Sequence, residues 1–430
     1  MKFRVEHDVL AEAVAWVARA LPSRPVVPVL SGLRLEARDD QLTLSCFDYE
    51  LSATVRVEAD IAKPGTALVP GRLLAEITRS LPGQPAEFAA DGDVVSLTCG
   101  SAEFTLVSLP LADYPELPPT PPLAGTIDGG ELAAATAQVL PAASRDDTLP
   151  MLTAVCLDMR GDIMTLAATD RYRLAVRQVR WAPARPGLRA IALVPARTLA
   201  DAARTMAPGE QVAVAFTASG EAPGPPRSAG TGASRQGERE PHPVEGMISF
   251  ESRGRRLTGR LIGGEFIRYA SRFPDGFGCR AEVPAGSFIE AVRRVSLVAD
   301  RASPVRLTFG QGRAVVEAQT EGRARAVETV TASFRGDEPA IAFNPQYLLD
   351  GLTAAAAGTA AGQAGQPGPA GQPAGHEETG TAPATIRLEF TSPAKPALIT
   401  WAGDAAGQPG EEGVPAFRYL VVPLRSPTRA

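Results

Sequence analysis

One short stretch gathers more polar function than any other in the chain: Ala167-Ala-Thr-Asp-Arg-Tyr-Arg-Leu-Ala-Val176. It sets a hydroxyl (Thr169), a carboxylate (Asp170), two guanidinium groups (Arg171 and Arg173), a phenol (Tyr172) and a leucine (Leu174) together at the end of an apolar run. That mixture could serve a functional site. It also describes a plain strand–turn–strand in which Asp170 opens the turn. Composition does not separate the two.

Other chemistry is sparse. The chain has no Gly-x-x-x-x-Gly-Lys-Ser/Thr loop, no Gly-x-Gly-x-x-Gly after a strand and no His-Glu-x-x-His. Its three histidines, His7, His242 and His376, are a poor supply for acid–base work or metal ligation. The acidic pairs Asp39-Asp40 and Asp146-Asp147 fall in turn-like segments, where solvation explains them. The four cysteines, Cys46, Cys99, Cys156 and Cys279, form no Cys-x-x-Cys pair and read as small buried hydrophobes. No catalytic residue, metal or cofactor is expected, so the chain is not expected to be an enzyme.

The elements that must position the rich stretch announce themselves by repetition. Leu68-Val-Pro-Gly-Arg-Leu-Leu-Ala-Glu-Ile77, Leu193-Val-Pro-Ala-Arg-Thr-Leu-Ala-Asp-Ala202 and Ala342-Phe-Asn-Pro-Gln-Tyr-Leu-Leu-Asp-Gly351 each send an extended apolar run through proline into an amphipathic helix. The residue before proline is pushed to extended backbone, and proline at the first helical position loses no intrahelical bond. A second helix precedes each phrase. The first starts near Asp8 (Leu10, Val14, Val17, Leu21), the second near Asp128 (Leu132, Thr136, Val139). The third opens on a capping box, Ser287-x-x-Glu290, ahead of Phe288, Val292 and Val295. Hairpins turning at Asp39-Asp40, Asp91-Gly92, Arg160-Gly-Asp162 and Gly310-Gln-Gly312 fill the intervals.

The expected fold is therefore α+β, with three repeated domains, each of two helices packed on antiparallel sheet. The boundaries are 1–120, 121–282 and 283–430. Residues 217–245 and 353–384 hold almost no large apolar side chain and read as disordered insertions that cannot offset their ordering entropy.

Composition bounds the setting. An apolar fraction of 44% is globular, no run is long and apolar enough to cross a bilayer, and the N-terminus has no apolar signal core, so a cytosolic protein is expected. Lysine occurs only at positions 2, 63 and 395; arginine in its place, with abundant alanine, reads as genomic base composition. A net charge of −5 excludes adhesion to nucleic acid by bulk electrostatics, leaving only local basic surface.

At Thr169-Asp170-x-x-Arg173-Leu174-Ala175 the sequence resembles the bacterial sliding clamp family, the β subunit of DNA polymerase III. Met1-Lys-Phe, Arg24-Pro…Pro28, Arg272-Phe-Pro-Asp275, Asn344-Pro…Tyr347-Leu and Tyr419-Leu-Val-Val-Pro-Leu-Arg425 carry the same resemblance, which spans the chain outside the two insertions. It implies that each chain forms half of a ring, closed head to tail by a second copy around double-stranded DNA. Arg24, Arg72, Arg79, Arg197, Arg204 and Arg293 are then DNA-facing, Arg24 by its motif and the others by helix face. Phe104, Leu297 and Val298 are the candidates for the dimer contact. A groove of Leu152, Thr169, Arg173, Leu174, Pro274, Asn344, Tyr347, Leu420, Val422 and Leu424 would take short peptides. In it Leu152, Leu174, Val422 and Leu424 would hold the apolar anchor, and Thr169, Arg173 and Asn344 the peptide backbone or polar end. Implied partners are the polymerase III catalytic subunit, the clamp loader, and other polymerases and repair proteins, with no membrane.

Three departures touch partner preference: Arg171-Tyr172, the Gly-Phe-Gly-Cys279 run, and a tail at 426–430. They keep open a clamp paralogue serving repair or a specialised pathway. An enzyme reusing the fold is the reading from a different class.

Overall fold

The computed structural model describes residues 1–205, 209–217, 246–274, 276–300, 303–320, 322–337, 340–364, 384–403 and 415–424. These fall into two compact units. The first comprises residues 1–127, 209–217 and 246–261, and the second takes the remainder.

In the first unit, helices α1 (His7–Ala18) and α2 (Gly71–Ser80) pack together. Leu10, Val14 and Val17 are fully buried, as the stripe in the sequence requires, whereas Leu73 of α2 is exposed. One sheet orders the strands Asp60–Lys63, Lys2–Val5, Ala86–Asp91, Val94–Cys99 and Ala102–Val107. Within this unit the other runs from Leu123–Asp128 through Gln211–Phe216, Met247–Ser252, Arg255–Arg260, Leu51–Glu58, Gln41–Phe47 and Gly32–Arg38 to Gly65–Pro70. The middle repeat is thus shared, since its Arg255–Arg260 strand ladders antiparallel with Leu51–Glu58 of the first. The predicted turn at Asp39-Asp40 forms with both residues left-handed (φ 50° and 58°), as a two-residue hairpin needs.

The second unit holds α3 (Gly129–Val139), α4 (Ala196–Thr205), α5 (Ala285–Ser296) and α6 (Pro345–Ala364). A nine-stranded sheet orders Arg189–Pro195, Ala154–Arg160, Ile163–Thr169, Arg173–Arg180, Phe417–Val421, Ala397–Trp401, Thr385–Phe390, Cys279–Pro284 and Ser333–Arg335. A four-stranded sheet orders Ala324–Thr331, Arg313–Thr320, Val305–Gly310 and Ala340–Phe343. The middle and last repeats join where Arg173–Arg180 ladders with Phe417–Val421.

Several expectations need correction. Pro70 and Pro195 end their strands one residue before the helix, and only Pro345 occupies the first helical position. After Pro70 the helix must begin with glycine, because a Cβ on Gly71 would lie 2.5 Å from Leu21 Cδ1 and 3.0 Å from Leu33 Cβ. The capping box at Ser287 does not form. The helix starts two residues earlier, after Pro284, and Ser287 Oγ donates back to the Pro284 carbonyl at 3.4 Å. Asp128 does cap α3, accepting the Glu131 N–H at 3.0 Å.

The second insertion is also not disordered from 353 onward: α6 continues to Ala364 through a run dominated by alanine. Alanine's helix propensity, the highest of any residue, extends a helix already nucleated by packing. The rest of that insertion, nearly all of the first, His242, His376 and the 426–430 tail lie outside the described residues. Cys46, Cys99 and Cys156 are buried as expected, and burial pushes the Cys46 thiol up to about 12. Cys279 is only half-buried, its Sγ 3.4 Å from the Asp337 carbonyl. No described helix is long and apolar enough to cross a membrane.

Candidate functional site

The rich stretch is a strand–turn–strand, as its simpler reading required. Thr169 ends one strand and Arg173 begins the next. Thr169 Oγ1 donates to the Arg173 carbonyl at 2.6 Å and accepts the Arg171 N–H at 3.1 Å. Asp170 Oδ1 accepts the N–H groups of Tyr172 and Arg173, both at 3.0 Å. These side-chain bonds hold Arg171 in the left-handed region at φ 79°, where a non-glycine residue needs local support.

Arg173 is the hub. Its Nε donates to Asp170 Oδ2 at 2.9 Å, its Nη1 to Asp350 Oδ2 at 2.5 Å and to Tyr419 Oη at 3.4 Å. The guanidinium also lies 4.3 Å from the centre of the Tyr347 ring. Only 10% of the side chain is exposed. Burial works against its charge, but Tyr419, Asp350 and Asp170 more than offset that, so it titrates above the ordinary arginine range. The phenol of Tyr419, raised chiefly by burial, donates to the Tyr347 carbonyl at 2.9 Å. The Tyr419 ring lies against Gly351 of α6, where a Cβ would come within 2.5 Å of it.

The polar groups expected to hold a peptide are therefore already engaged by the protein itself. Thr169 and Arg173 brace the turn and tie it to α6, and Asn344 Oδ1 caps α6 by accepting the Gln346 and Tyr347 N–H groups at 3.0 and 3.2 Å. These bonds tie the turn and the start of α6 into one frame beside the apolar side chains.

Of the apolar side chains, Leu174 and Leu420 are brought together. Leu174 and Leu420 are ladder partners, each 5% exposed, in a cluster with Ala154, Cys156, Ala167, Val176, Leu193 and Leu398. Val422 and Leu424 are partly exposed and held in place by backbone bonds: Val422 N–H to the Tyr172 carbonyl (2.8 Å) and Leu424 N–H to the Ala342 carbonyl (2.7 Å). Leu152, half-buried, ends a single 3-10 turn, Pro150–Leu152. Pro274, also half-buried, follows Phe273, which packs on the cluster.

Sequence reasoning missed two parts of this patch. One is an aromatic ledge, Tyr172 stacked on Tyr347 with ring centres 6.2 Å apart and Tyr172 54% exposed. The other is the connection after Ile262, whose Phe266, Ile267, Tyr269, Phe273 and Phe277 pack on the cluster. Aromatic side chains repeated through a segment with neither helical nor strand period were the available signal.

Each candidate DNA-facing arginine is exposed. Arg24 and Arg79 are solvated; Arg72 Nη2 donates to the Pro22 carbonyl at 3.2 Å. On the helices of the second unit Arg197 is exposed, Arg204 pairs with Asp201, and Arg293 pairs with Glu290. Such surface pairs hold a side chain weakly and leave it available to another anion. Phe104 lies half-buried on Ala102–Val107, the outer strand of its sheet. Leu297, just past α5, is 82% exposed, and Val298 beside it is half-buried. Val107 (70% exposed), on the same outer strand as Phe104, and Val327 (49%), on the outer strand Ala324–Thr331 of the four-stranded sheet, are further exposed apolar residues at sheet edges.

An apolar patch beside an internally hydrogen-bonded polar frame, on a thrice-repeated α+β scaffold, is what the described residues present. Models of the DNA polymerase III beta subunit match the chain in order: the N-terminal domain at 1–118, the central domain at 126–267 and the C-terminal domain at 271–360. The Beta sliding clamp of Streptomyces coelicolor is 46% identical over 427 residues, covering 99% of both chains. The Beta sliding clamp homolog GriR of Streptomyces muensis is 42% identical over 353 residues, covering 82% of this chain and 88% of that one. Among solved structures, the DNA polymerase III subunit beta of Pseudomonas aeruginosa superimposes with a TM-score of 0.80 at 22% identity over 99% of this chain and all of that one. Another structure of the clamp from that organism, bound to griselimycin, gives 0.79 with the same coverage. The chain belongs to the DNA polymerase III beta subunit family and is a sliding clamp.

Proposed function

We propose that two copies of this chain close head to tail around double-stranded DNA and tether the polymerase III catalytic subunit, so that synthesis is processive without catalysis by the clamp itself. The observation that carries this is the match along 99% of the chain to a Beta sliding clamp at 46% identity. The domains divide at 1–120, 121–282 and 283–430. The outer strand Ala102–Val107 of one copy meets the outer strand Ala324–Thr331 of the other, with Phe104, Leu297 and Val298 covered there. Closing both edges also removes open strands that would otherwise template aggregation.

The patch around Leu174 and Leu420 is the docking groove for short peptides of the polymerase, the clamp loader and repair proteins. Few buried apolar anchors and a rigid rim are how such interfaces concentrate their energy. Leu152, Leu174, Val422 and Leu424 hold the anchor side chains. Pro274 and the Tyr172–Tyr347 ledge form the rim, while Thr169, Arg173 and Asn344 act from behind. The griselimycin-bound Pseudomonas clamp agrees with a ligand-accepting surface on this fold. A cytoplasmic, nucleoid-associated protein without metal or cofactor fits the composition.

A net charge of −5 makes grip by adhesion weak, so retention must come from topology. Exposed arginines such as Arg24, Arg72, Arg79 and Arg197 supply a sequence-independent track whose contacts weaken with salt. The expected result is that protein loaded onto nicked circular DNA by a bacterial clamp loader survives gel filtration in high salt, and is shed once the circle is cut. Equal retention on linear and circular DNA would refute encirclement.

A second reading, a paralogue with an altered groove, draws on the 42% identity to GriR and on the Arg171-Tyr172 pair. The longer and higher match to the Streptomyces coelicolor clamp favours the first.

A further inference from the structure

The connection from Ile262 to Phe273 belongs to no ladder, yet it is anchored closely. It leaves its strand with the Ile262 N–H bonded to the Leu193 carbonyl at 2.9 Å. Gly264 follows with φ 116°, so close to Met151 that a Cβ would lie 2.8 Å from its Sδ; Met151 adjoins Leu152. Phe266, Ile267, Tyr269 and Phe273 then pack on the cluster that contains Leu174 and Leu420. The guanidinium of Arg418 covers Phe273 at 4.2 Å from the ring centre. A long connection with no strand and only the single 3-10 turn Ala270–Arg272, yet packed on the core through its side chains, is usually functional.

One contact in this strap is unlike the rest. Tyr269 Oη donates to Asp158 Oδ2 at 2.8 Å, and Arg160 Nε donates to Asp158 Oδ1 at 3.0 Å. Asp158 is 2% exposed and sits in the Ala154–Arg160 strand, with Cys156 of the same strand in the cluster itself. A carboxylate placed there is costly unless both oxygens are paired, and apolar residues would pack the site at lower cost. Hydrophobic packing is also non-directional and leaves a strap free to slide, whereas a charge-assisted hydrogen bond fixes its register.

We propose that Tyr269 and Asp158 are positioning residues for partner binding: their hydrogen bond pins the strap so that Pro274 and the side chains around it stand as the fixed wall of the peptide groove. This rests on the assignment of the groove given above. Neither residue touches the peptide; both act through the strap. When the pin is cut, the strap samples displaced positions and the binding-competent fraction falls, raising the apparent Kd in proportion.

The test uses the full-length protein and a Gln-Leu-x-Leu-Phe-type peptide. Tyr269→Phe keeps the ring and removes only the hydroxyl; loss of one charge-assisted hydrogen bond is expected to raise Kd by about tenfold. The rise should appear in the association rate, with the dissociation rate little changed. Amide exchange should quicken through 262–273 while the Ala154–Arg160 strand keeps its protection. Asp158→Asn, which retains an acceptor for Tyr269, should lie between wild type and Tyr269→Phe. Leu174→Ser, inside the cluster, serves as the control for the groove itself. If Leu174→Ser abolishes binding and Tyr269→Phe leaves Kd and strap exchange unchanged, the pin is refuted and the groove stands. If Leu174→Ser binds normally, the groove assignment fails first. A uniform loss of protection across the whole sheet in Tyr269→Phe would show a purely structural role and overturn the proposal.

Discussion

Replacing Arg173 by alanine is expected to lower stability by about 3–5 kcal/mol, the usual consequence of removing one partner from a buried ion pair. The side chains of Asp170 and Asp350 are only 12% and 21% exposed, and both point at this one guanidinium. Without it, two carboxylates confront one another with no counter-charge, Tyr347 loses the cation over its ring and Tyr419 a hydrogen-bond donor. Arg173→Lys keeps the charge but not the planar fork that serves Asp170 and Asp350 together, and should cost about 1–2 kcal/mol. Urea unfolding followed by circular dichroism measures both. The experiment also decides between two roles. A residue that grips the peptide would lose affinity while the unfolding midpoint stayed in place. A brace loses the midpoint first, and an unchanged midpoint in Arg173→Ala would refute the bracing role.

That distinction marks how far the sequence could be read. Thr169, Asp170, Arg173 and Leu174 stood out because four kinds of function crowd into a few positions, and the structure does bring them together. What Arg173 does was not visible, because its partners Asp350 and Tyr419 lie 177 and 246 residues along the chain. The helices after Val69, Val194 and Phe343 were legible because proline and amphipathic period act locally, as were the hairpins whose turns demand left-handed backbone. Ser287 and Glu290 misled for an equally local reason. Pro284 ends its strand and starts the helix early, so a capping pattern ends up inside the helix it was thought to open. The strap escaped notice because its order is tertiary: Phe266, Tyr269 and Phe273 have no period of their own and find their places only on a sheet assembled from distant strands.

Leu297→Asp should separate assembly from folding more cleanly than any other substitution. The side chain is 82% exposed in the single chain, so exchanging it should change monomer stability by less than about 0.5 kcal/mol. If the second copy covers it as proposed, a carboxylate buried against an apolar edge should weaken the dimer roughly 100-fold, the scale of a hot-spot residue worth about 3 kcal/mol. Phe104→Ala is less clean, since that ring is already half-buried within its own sheet and its loss affects the monomer as well. The matching control is Val26→Asp, because Val26 is 94% exposed but lies two residues from Arg24, far from either outer strand in sequence. Aversion of exposed apolar surface to water is common to both sites; coverage by a partner is proposed for only one. Sedimentation equilibrium should therefore show Leu297→Asp dissociating at concentrations where Val26→Asp and wild type remain dimeric, and retention on circular DNA should fall with the dimer. A Leu297→Asp protein that stays dimeric would place the contact elsewhere and remove the edge-to-edge closure on which encirclement depends.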